Sequence, residues 1–303
     1  MNLRQAGLRI ICFILFSSIC GSEFFAQSNP SKFNYIEGEV MAGSIVPNNM
    51  HYPPFGIMSG AAITIGTIDT TTNSLSQYYN YPKKGIYMSF HHLGNDSIFG
   101  QQVSLMPVIE LKSGKKWSFR IGLGVSYYTK THRDHTQNVA VGSNLTWGFQ
   151  TYLYRYIPIS QQSYLKVGGA FLHGSNGHTQ LPNYGLNSAA ISVGWQYFSK
   201  PLVVPERNRH AYKGTRTWML TQRVGVGWHE LGGTQGPVGG DKKPVYNAAV
   251  AFGVLLKKHF KLQAGLGYRY YQHYADYIEE HPELGFSQSY ANNMYFTLGS
   301  ELF

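Results

Sequence analysis

Two residues near the middle of the chain have the types and spacing that nucleophilic catalysis needs. His173 and Ser175 are separated by a single glycine, and Asn187 follows where the next apolar alternation begins. In a β-strand, side chains at positions i and i+2 lie on the same face. A histidine on that face can take the proton of a serine hydroxyl and so make it a nucleophile. A His-x-Ser triplet often occurs by chance, so its meaning depends on the strand that carries it.

Alternation of apolar and polar residues with a period of two recurs along the chain. It is clearest over 117–128, 145–154 and 260–271, and each segment is long enough for a tilted membrane strand of roughly 9–11 residues. The less apolar face holds Gly, Ser and Gln with occasional Arg, which suits a barrel interior better than the surface of a soluble sandwich. We therefore predict an all-β fold, a transmembrane antiparallel up-and-down β-barrel of about twelve strands, with ten or fourteen as alternatives.

The composition is that of an exported membrane barrel. Of 303 residues 34 are Gly, 23 Tyr and 17 Phe, and 13% are charged. The formal net charge of +10 comes from scattered Lys and Arg, whereas nucleic-acid binding needs a basic patch or stripe. An anionic lipid surface, or simply a solvated periphery, explains the charge without nucleic acid.

The N-terminal segment predicts export. Residues 1–26 place Arg4 and Arg9 ahead of the apolar run 10–16, as in a signal peptide. The cleavage site is left open between residues 20–22 and a point after Ala26. We expect 27–303 to form a single outer-membrane barrel domain.

Cysteine chemistry is not expected in the mature chain. Cys12 and Cys20 both lie in the leader, so residues 27–303 have no thiol for a disulfide. A lipoprotein cysteine at Cys20 is disfavoured, because Ser-Ser-Ile precedes it.

The alternation around the His-x-Ser triplet places it on the outside of the barrel. In 165–175 the odd positions are the apolar ones, and the next strand continues this face from Asn187. We therefore expect His173, Ser175 and Asn187 to project towards lipid at the extracellular end. Polar groups there cost free energy, which favours a functional role over an incidental polar pair in a structural barrel.

The motif around these residues resembles a known family. His173-x-Ser175-Asn176, then Pro182-Asn183-x-Gly185 and a closing apolar strand, is similar to the lipid A 3-O-deacylase (PagL-type, acyloxyacyl hydrolase-like) outer-membrane barrels. A looser resemblance extends upstream through 81–85, 92–95 and 141–143. It covers residues 35–199, and 200–303 are additional strands.

The resemblance implies an outer-membrane serine esterase that hydrolyses the 3-position ester-linked acyl chain of lipid A, in the lipopolysaccharide of the outer leaflet. It implies Ser175 as nucleophile, His173 as base, and Asn176 with the Gly177 amide as oxyanion donors. Asn183 and Gly185 would form a supporting loop. Asn187 stands where the family has an acidic residue. An asparagine carbonyl can hold an imidazole tautomer but cannot stabilise an imidazolium as a carboxylate does.

The alternative from another class is a non-enzymatic structural or transport barrel. In it, the asparagines and glycines of 176–185 are ordinary turn residues. The oligomeric state is left open.

No cofactor and no metal are predicted. The histidines at 91, 92, 132 and 135 lack the spacing of a ligand set. The charged residues on the polar faces are predicted to form a satisfied plug rather than an ion pathway: Arg120, Arg223, Arg269 and Glu110.

Overall fold

Eight antiparallel strands form a closed barrel. The computed structural model describes residues 31–302 apart from 51, 72–73, 115, 206–214, 234–235, 238–240 and 257–259. The predicted signal peptide, 1–26, lies outside the described residues. Each barrel strand pairs with its neighbours in sequence, and the last pairs with the first. The strands are β1 (Lys32–Ile45), β2 (Ile57–Asp69), β3 (Lys83–His92), β4 (Gln101–Ser113), β5 (Trp117–Tyr128), β6 (Leu145–Pro158), β7 (Ser163–Ser175) and β8 (Leu186–Phe198).

Four further long strands form a separate antiparallel sheet. They are β9 (Arg216–His229), β12 (Lys243–Leu256), β13 (Phe260–Tyr271) and β14 (Asn292–Leu302). Their order across the sheet is β14-β13-β12-β9. The two-residue strands β10 (Gly232–Gly233) and β11 (Gly236–Pro237) pair with each other.

The prediction of an all-β antiparallel barrel is confirmed, but the count of about twelve barrel strands is wrong, because the barrel closes after eight. The alternation marks which segments are strands and which face is apolar. It carries no information about the partner of an edge strand, and here β8 pairs with β1 from Tyr35↔Phe198 to Ile45↔Ser188.

Helical structure is limited to short segments. These are α1 (Ser74–Tyr78), α2 (Gln272–Glu280) and two 3-10 turns, Pro282–Leu284 and Gln288–Ala291. Within the part of the chain that is described, no helix has the length and apolar character needed to cross a bilayer.

The two faces of the barrel wall differ as the alternation requires. On β5, for example, Phe119 and Leu123 are exposed, whereas Ser118 and Arg120 are buried. Large apolar side chains are thus presented outward around the wall, as in a barrel surrounded by lipid. Polar side chains are enclosed in the interior.

A network of paired charges fills that interior. Arg120 is completely buried and bonds to Glu37, to Glu39 at 3.0 Å and to Glu110 at 3.2 Å. Lys166 Nζ contacts Glu37 Oε2 at 2.7 Å and Glu110 Oε2 at 3.0 Å. Each carboxylate therefore has a cationic partner, as a buried charge requires.

Lys83 extends the network towards one end of the barrel. Its Nζ lies 2.8 Å from both Glu110 Oε1 and Gln196 Oε1, and it also bonds to Tyr156. Arg120 and Glu110 thus form the satisfied plug that the sequence predicts. The other two arginines of that prediction, Arg223 and Arg269, lie on the four-stranded sheet instead.

Replacing the central cation should destabilise the barrel strongly. Arg120→Met leaves Glu37, Glu39 and Glu110 short of a partner, and breaking such a buried network costs about 3–5 kcal/mol. Urea unfolding in lipid vesicles, followed by tryptophan fluorescence, measures the change in free energy of unfolding. The matched control is Arg155→Met, because Arg155 is exposed and stacks over the Trp117 ring at 5.4 Å. Equal losses in the two variants would show that the network is not a major source of stability.

Candidate active site

The end of β7 and the start of β8 bring His173 and Asn187 together. The register of the two strands places these residues directly opposite each other, and His173 Nδ1 lies 2.7 Å from Asn187 Oδ1. A carbonyl oxygen only accepts hydrogen bonds, so His173 donates through Nδ1–H and its Nε2 is left as the basic nitrogen. This is the arrangement by which a second group holds a catalytic imidazole in one tautomer.

The site lies on the outer surface of the barrel, on the face that the alternation predicts. His173, Ser175 and Asn187 are half-buried. On the other side of β7, Trp147 pairs with Ser175 and Phe149 with His173. The indole of Trp147 is 64% exposed. These three polar side chains are therefore bordered by an apolar surface on which an acyl chain can lie.

The hydroxyl of Ser175 is held by the hairpin loop that follows it. Its Oγ accepts hydrogen bonds from Asn183 Nδ2 at 3.0 Å and from the Gly177 amide at 3.3 Å. No hydrogen bond joins this hydroxyl to His173 among the described contacts. The two side chains share one face two positions apart, so side-chain rotation can bring them together. Catalytic hydrogen bonds are often long before substrate binds.

Asn176 holds the loop in place. It is 4% exposed, and its Nδ2 donates to Ser143 Oγ at 3.0 Å and to the carbonyl of Gln180 at 2.7 Å. Its backbone amide donates to Asn183 Oδ1 at 3.3 Å. Asn183 therefore bridges the backbone at Asn176 and the hydroxyl of Ser175.

Gly185 packs directly against the histidine. Its φ of +74° lies in the left-handed region, and a Cβ there would sit 3.1 Å from His173 Cε1 and 3.7 Å from Ser175 Cβ. A larger residue would be strained and would displace the imidazole. The predicted supporting loop residues, Asn183 and Gly185, thus both contact the candidate catalytic pair.

Sequence reasoning missed several contacts to this loop, among them those of Ser143 and Glu230. Ser143 anchors Asn176, and the sequence signal available for it was the Val-Gly-Ser segment at 141–143. Glu230, just after β9, accepts a hydrogen bond from the Leu181 amide, and its own amide donates to the His178 carbonyl at 3.1 Å. Nothing in the sequence pattern links Glu230 to the loop, because the contact depends on how the second sheet meets it.

The barrel has a cavity of about 160 Å³ away from this site. Its lining includes Lys83, Tyr156 and Tyr164. Tyr164 lies at the start of β7 and Ser175 at its end, so the cavity is at the other end of the strand. Among the described residues no three His, Cys, Asp or Glu side chains form a group that could hold a metal ion.

A closed antiparallel barrel with an apolar wall and a filled polar interior is the architecture of small outer-membrane barrels. Residues 64–196 match the family model described as lipid A 3-O-deacylase (PagL). This range runs from β2 into β8 and contains all the candidate site residues. The resemblance to this family is therefore confirmed over that range, and the match and the barrel fold together support a location in the outer membrane.

Solved structures with remote similarity include the following three. The outer-membrane enzyme PagL is 15% identical, with a TM-score of 0.35, covering 52% of this chain and 97% of the other. A de novo designed transmembrane β-barrel is 11% identical, with a TM-score of 0.26 and coverage of 54% and 94%. The β domain of the Bordetella autotransporter BrkA is 9% identical, with a TM-score of 0.22 and coverage of 89% and 97%. No curated protein sequence matches the chain.

The histidine tautomer can be measured directly. In protein labelled with ¹⁵N-histidine, at a pH where imidazole is neutral, we expect His173 to be protonated on Nδ1. Asn187→Ala removes the acceptor and should return the ring to a mixture of tautomers. His173→Gln assigns the signal, and Asn293→Ala, a substitution on β14, is the matched control. An unchanged tautomer in Asn187→Ala would show that another group holds the imidazole.

Proposed function

We propose that this protein is an outer-membrane serine esterase that removes the acyl chain ester-linked at position 3 of lipid A. The observation that carries the proposal is the His173–Asn187 hydrogen bond, which holds an imidazole beside Ser175 on the apolar outer surface. The family match over residues 64–196 supplies the substrate class.

The reaction follows from the roles of these groups. Ser175 Oγ attacks the ester carbonyl while His173 Nε2 takes the hydroxyl proton. The tetrahedral intermediate collapses, the sugar oxygen leaves with the proton from His173, and the acyl group stays on Ser175. Water, deprotonated by the same histidine, then hydrolyses this acyl-enzyme and releases the fatty acid.

Asn187 orients the base in this scheme. Its Oδ1 keeps the Nδ1–H tautomer, so that Nε2 is the basic nitrogen available to Ser175. A neutral amide stabilises the imidazolium formed on proton transfer less than a carboxylate does. The histidine therefore works with correct orientation but with weaker electrostatic support.

Donors for the oxyanion lie in the loop. The Gly177 amide and Asn183 Nδ2 both point at Ser175 Oγ, at 3.3 Å and 3.0 Å. The negative oxygen of the intermediate forms next to Oγ, within reach of the same donors. Asn176, the other candidate from the sequence, has its Nδ2 engaged by Ser143 and Gln180. It must break one of these bonds to act on substrate, and otherwise it positions the Gly177 amide.

Substrate reaches this site from the membrane. The barrel interior around Arg120 is filled by paired charges, and the cavity beside Tyr164 lies at the other end of β7 from Ser175. The interior therefore offers an acyl chain no room next to this site. The outer wall offers Trp147 and Phe149 beside the site. A lipid in the surrounding leaflet can lay its chain on that wall and bring its ester to Ser175.

The second candidate function is a structural or transport barrel without enzymatic activity. One observation favours it: Ser175 bonds to the loop and not to His173. In this case His173, Ser175 and Asn187 serve only to hold the loop between β7 and β8 against the end of the barrel.

Analysis of the lipid A from cells that carry the gene distinguishes the esterase from the non-enzymatic barrel. The wild-type chain should remove one acyl chain, seen by mass spectrometry as the loss of one hydroxy fatty acid. Ser175→Ala should lower this conversion by at least roughly a thousandfold, because the nucleophile is removed. The control is Ser59→Ala, an exposed serine on the outer face of β2. Identical lipid A with the wild-type chain and with Ser175→Ala would reject the esterase.

The role of Asn187 gives a graded test. Asn187→Asp should retain or raise the rate, because a carboxylate both holds the tautomer and stabilises imidazolium. Asn187→Ala should lower it by roughly tenfold or more. Rates are compared on purified lipid A in mixed micelles. Equal rates for all three chains would place the orienting group elsewhere and leave the esterase itself standing.

A further inference from the structure

The four-stranded sheet has a strongly apolar face with no cover. Val224 is 89% exposed and Leu298 79%. Large exposed apolar side chains continue across all four strands on this face, among them Trp218, Phe252, Leu266, Met294 and Phe296. In water, another protein surface of equal area would have to cover this face, whereas a lipid bilayer covers it directly.

The opposite face is polar and curved inward. Arg223 on β9 bonds to Glu301 on β14 at 2.6 Å, although β12 and β13 lie between these strands. Lys261 on β13 contacts Thr221 at 2.8 Å and Glu301 at 3.4 Å. Side chains of this length meet across a four-stranded sheet only if the sheet curls strongly towards its polar face. The result is a strip of barrel wall, apolar outside and polar inside.

Both edges of this strip are free. β9 pairs only with β12, and β14 only with β13, among the described strands. In a bilayer an unpaired strand edge leaves backbone N–H and C=O groups without water, at several kcal/mol for each group. The first barrel cannot supply a partner, because β1 and β8 already pair with each other.

We propose that a second copy of this chain closes the strip, with the β9 edge of one copy pairing with the β14 edge of the other. The proposal rests on membrane insertion and is independent of the esterase. Two copies supply eight strands, as many as close the first barrel.

Strand direction makes this closure possible. The sheet is antiparallel with an even number of strands, so its two edge strands run in opposite directions. Rotation about an axis along the strands keeps each direction, and β9 of one copy then meets β14 of the next in antiparallel orientation. The same rotation keeps every copy in the same orientation across the membrane. Head-to-tail interfaces of this kind close into rings.

The charges of the edge strands permit this closure. Of the charged side chains on the polar faces of the two edge strands, Arg223 lies on β9 and Glu301 on β14. These two side chains already pair within one copy, so closure of the wall encloses no unpaired charge from either edge strand. The small residues of the polar face, including Gly225, Gly265 and Gly299, leave room for the enclosed side chains of a narrow barrel.

Disulfide trapping between tagged copies tests the edge pairing. In a chain with Cys12→Ser and Cys20→Ser, one tagged copy carries Val224→Cys on β9. A differently tagged copy carries Met294→Cys, Phe296→Cys or Leu298→Cys on β14. The two are co-expressed, and membranes are oxidised with copper phenanthroline. We expect a mixed-tag disulfide at one or two adjacent β14 positions, because directly paired strands bring Cβ atoms within disulfide reach.

The matched control is Leu266→Cys, which lies on β13 opposite Phe296 and on the same apolar face. It is one strand further from the edge, so its Cβ is beyond disulfide reach and its yield should be at least roughly tenfold lower. Equal yields at β13 and β14 would indicate random lateral collision and overturn the edge pairing, as would no mixed-tag product at any β14 position.

Native mass spectrometry of the unsubstituted chain in detergent gives a second readout that needs no variant. Particles of two copies of the chain support the ring. Single chains only, larger oligomers, or a complex with a different protein overturn it. Neither readout depends on lipid A hydrolysis, so failure of the ring and failure of the esterase are separate outcomes.

Discussion

The pairing of β1 with β8 is the constraint on which the rest of the barrel depends. Inside a bilayer, backbone amides and carbonyls have no water to bond to, so a spanning sheet has to satisfy them all within protein. The ladder from Tyr35↔Phe198 to Ile45↔Ser188 completes that requirement for the first eight strands. It also decides the diameter of the barrel and therefore how much side-chain volume the interior must hold.

The interior charges follow from this closure. Eight strands enclose only enough space for side chains, and here Arg120, Lys166 and Lys83 meet Glu37, Glu39 and Glu110 within it. Because the interior is filled, chemistry on a lipid has to take place outside the wall or at its rim. The placement of His173 and Ser175 on the outer face of β7 agrees with that restriction.

The candidate site combines a rigid and a loop-borne part. His173 and Asn187 are opposite members of one strand pair, so the ladder itself sets their distance. Ser175 is positioned by the loop through Asn183 and Gly177. That loop is in turn bonded to Glu230, just after β9. The segment that follows the first strand of the second sheet therefore also contacts the loop that holds Ser175.

The sequence alone was enough to predict about twelve strand segments, the apolar face of the most regular ones, and the outward position of His173, Ser175 and Asn187. These properties depend on a period of two residues, which each segment carries independently of the others. The sequence also identified Asn183 and Gly185 as neighbours of the site through a family motif, although it did not show that Asn183 donates to Ser175.

Tertiary structure alone decided that β8 returns to β1 and leaves four strands outside the barrel. The same holds for the contact of Glu230 with the loop. Strand partners and edge contacts are set by backbone hydrogen bonds between distant segments, and backbone groups are the same at nearly every residue, so they leave no mark in the pattern of side chains.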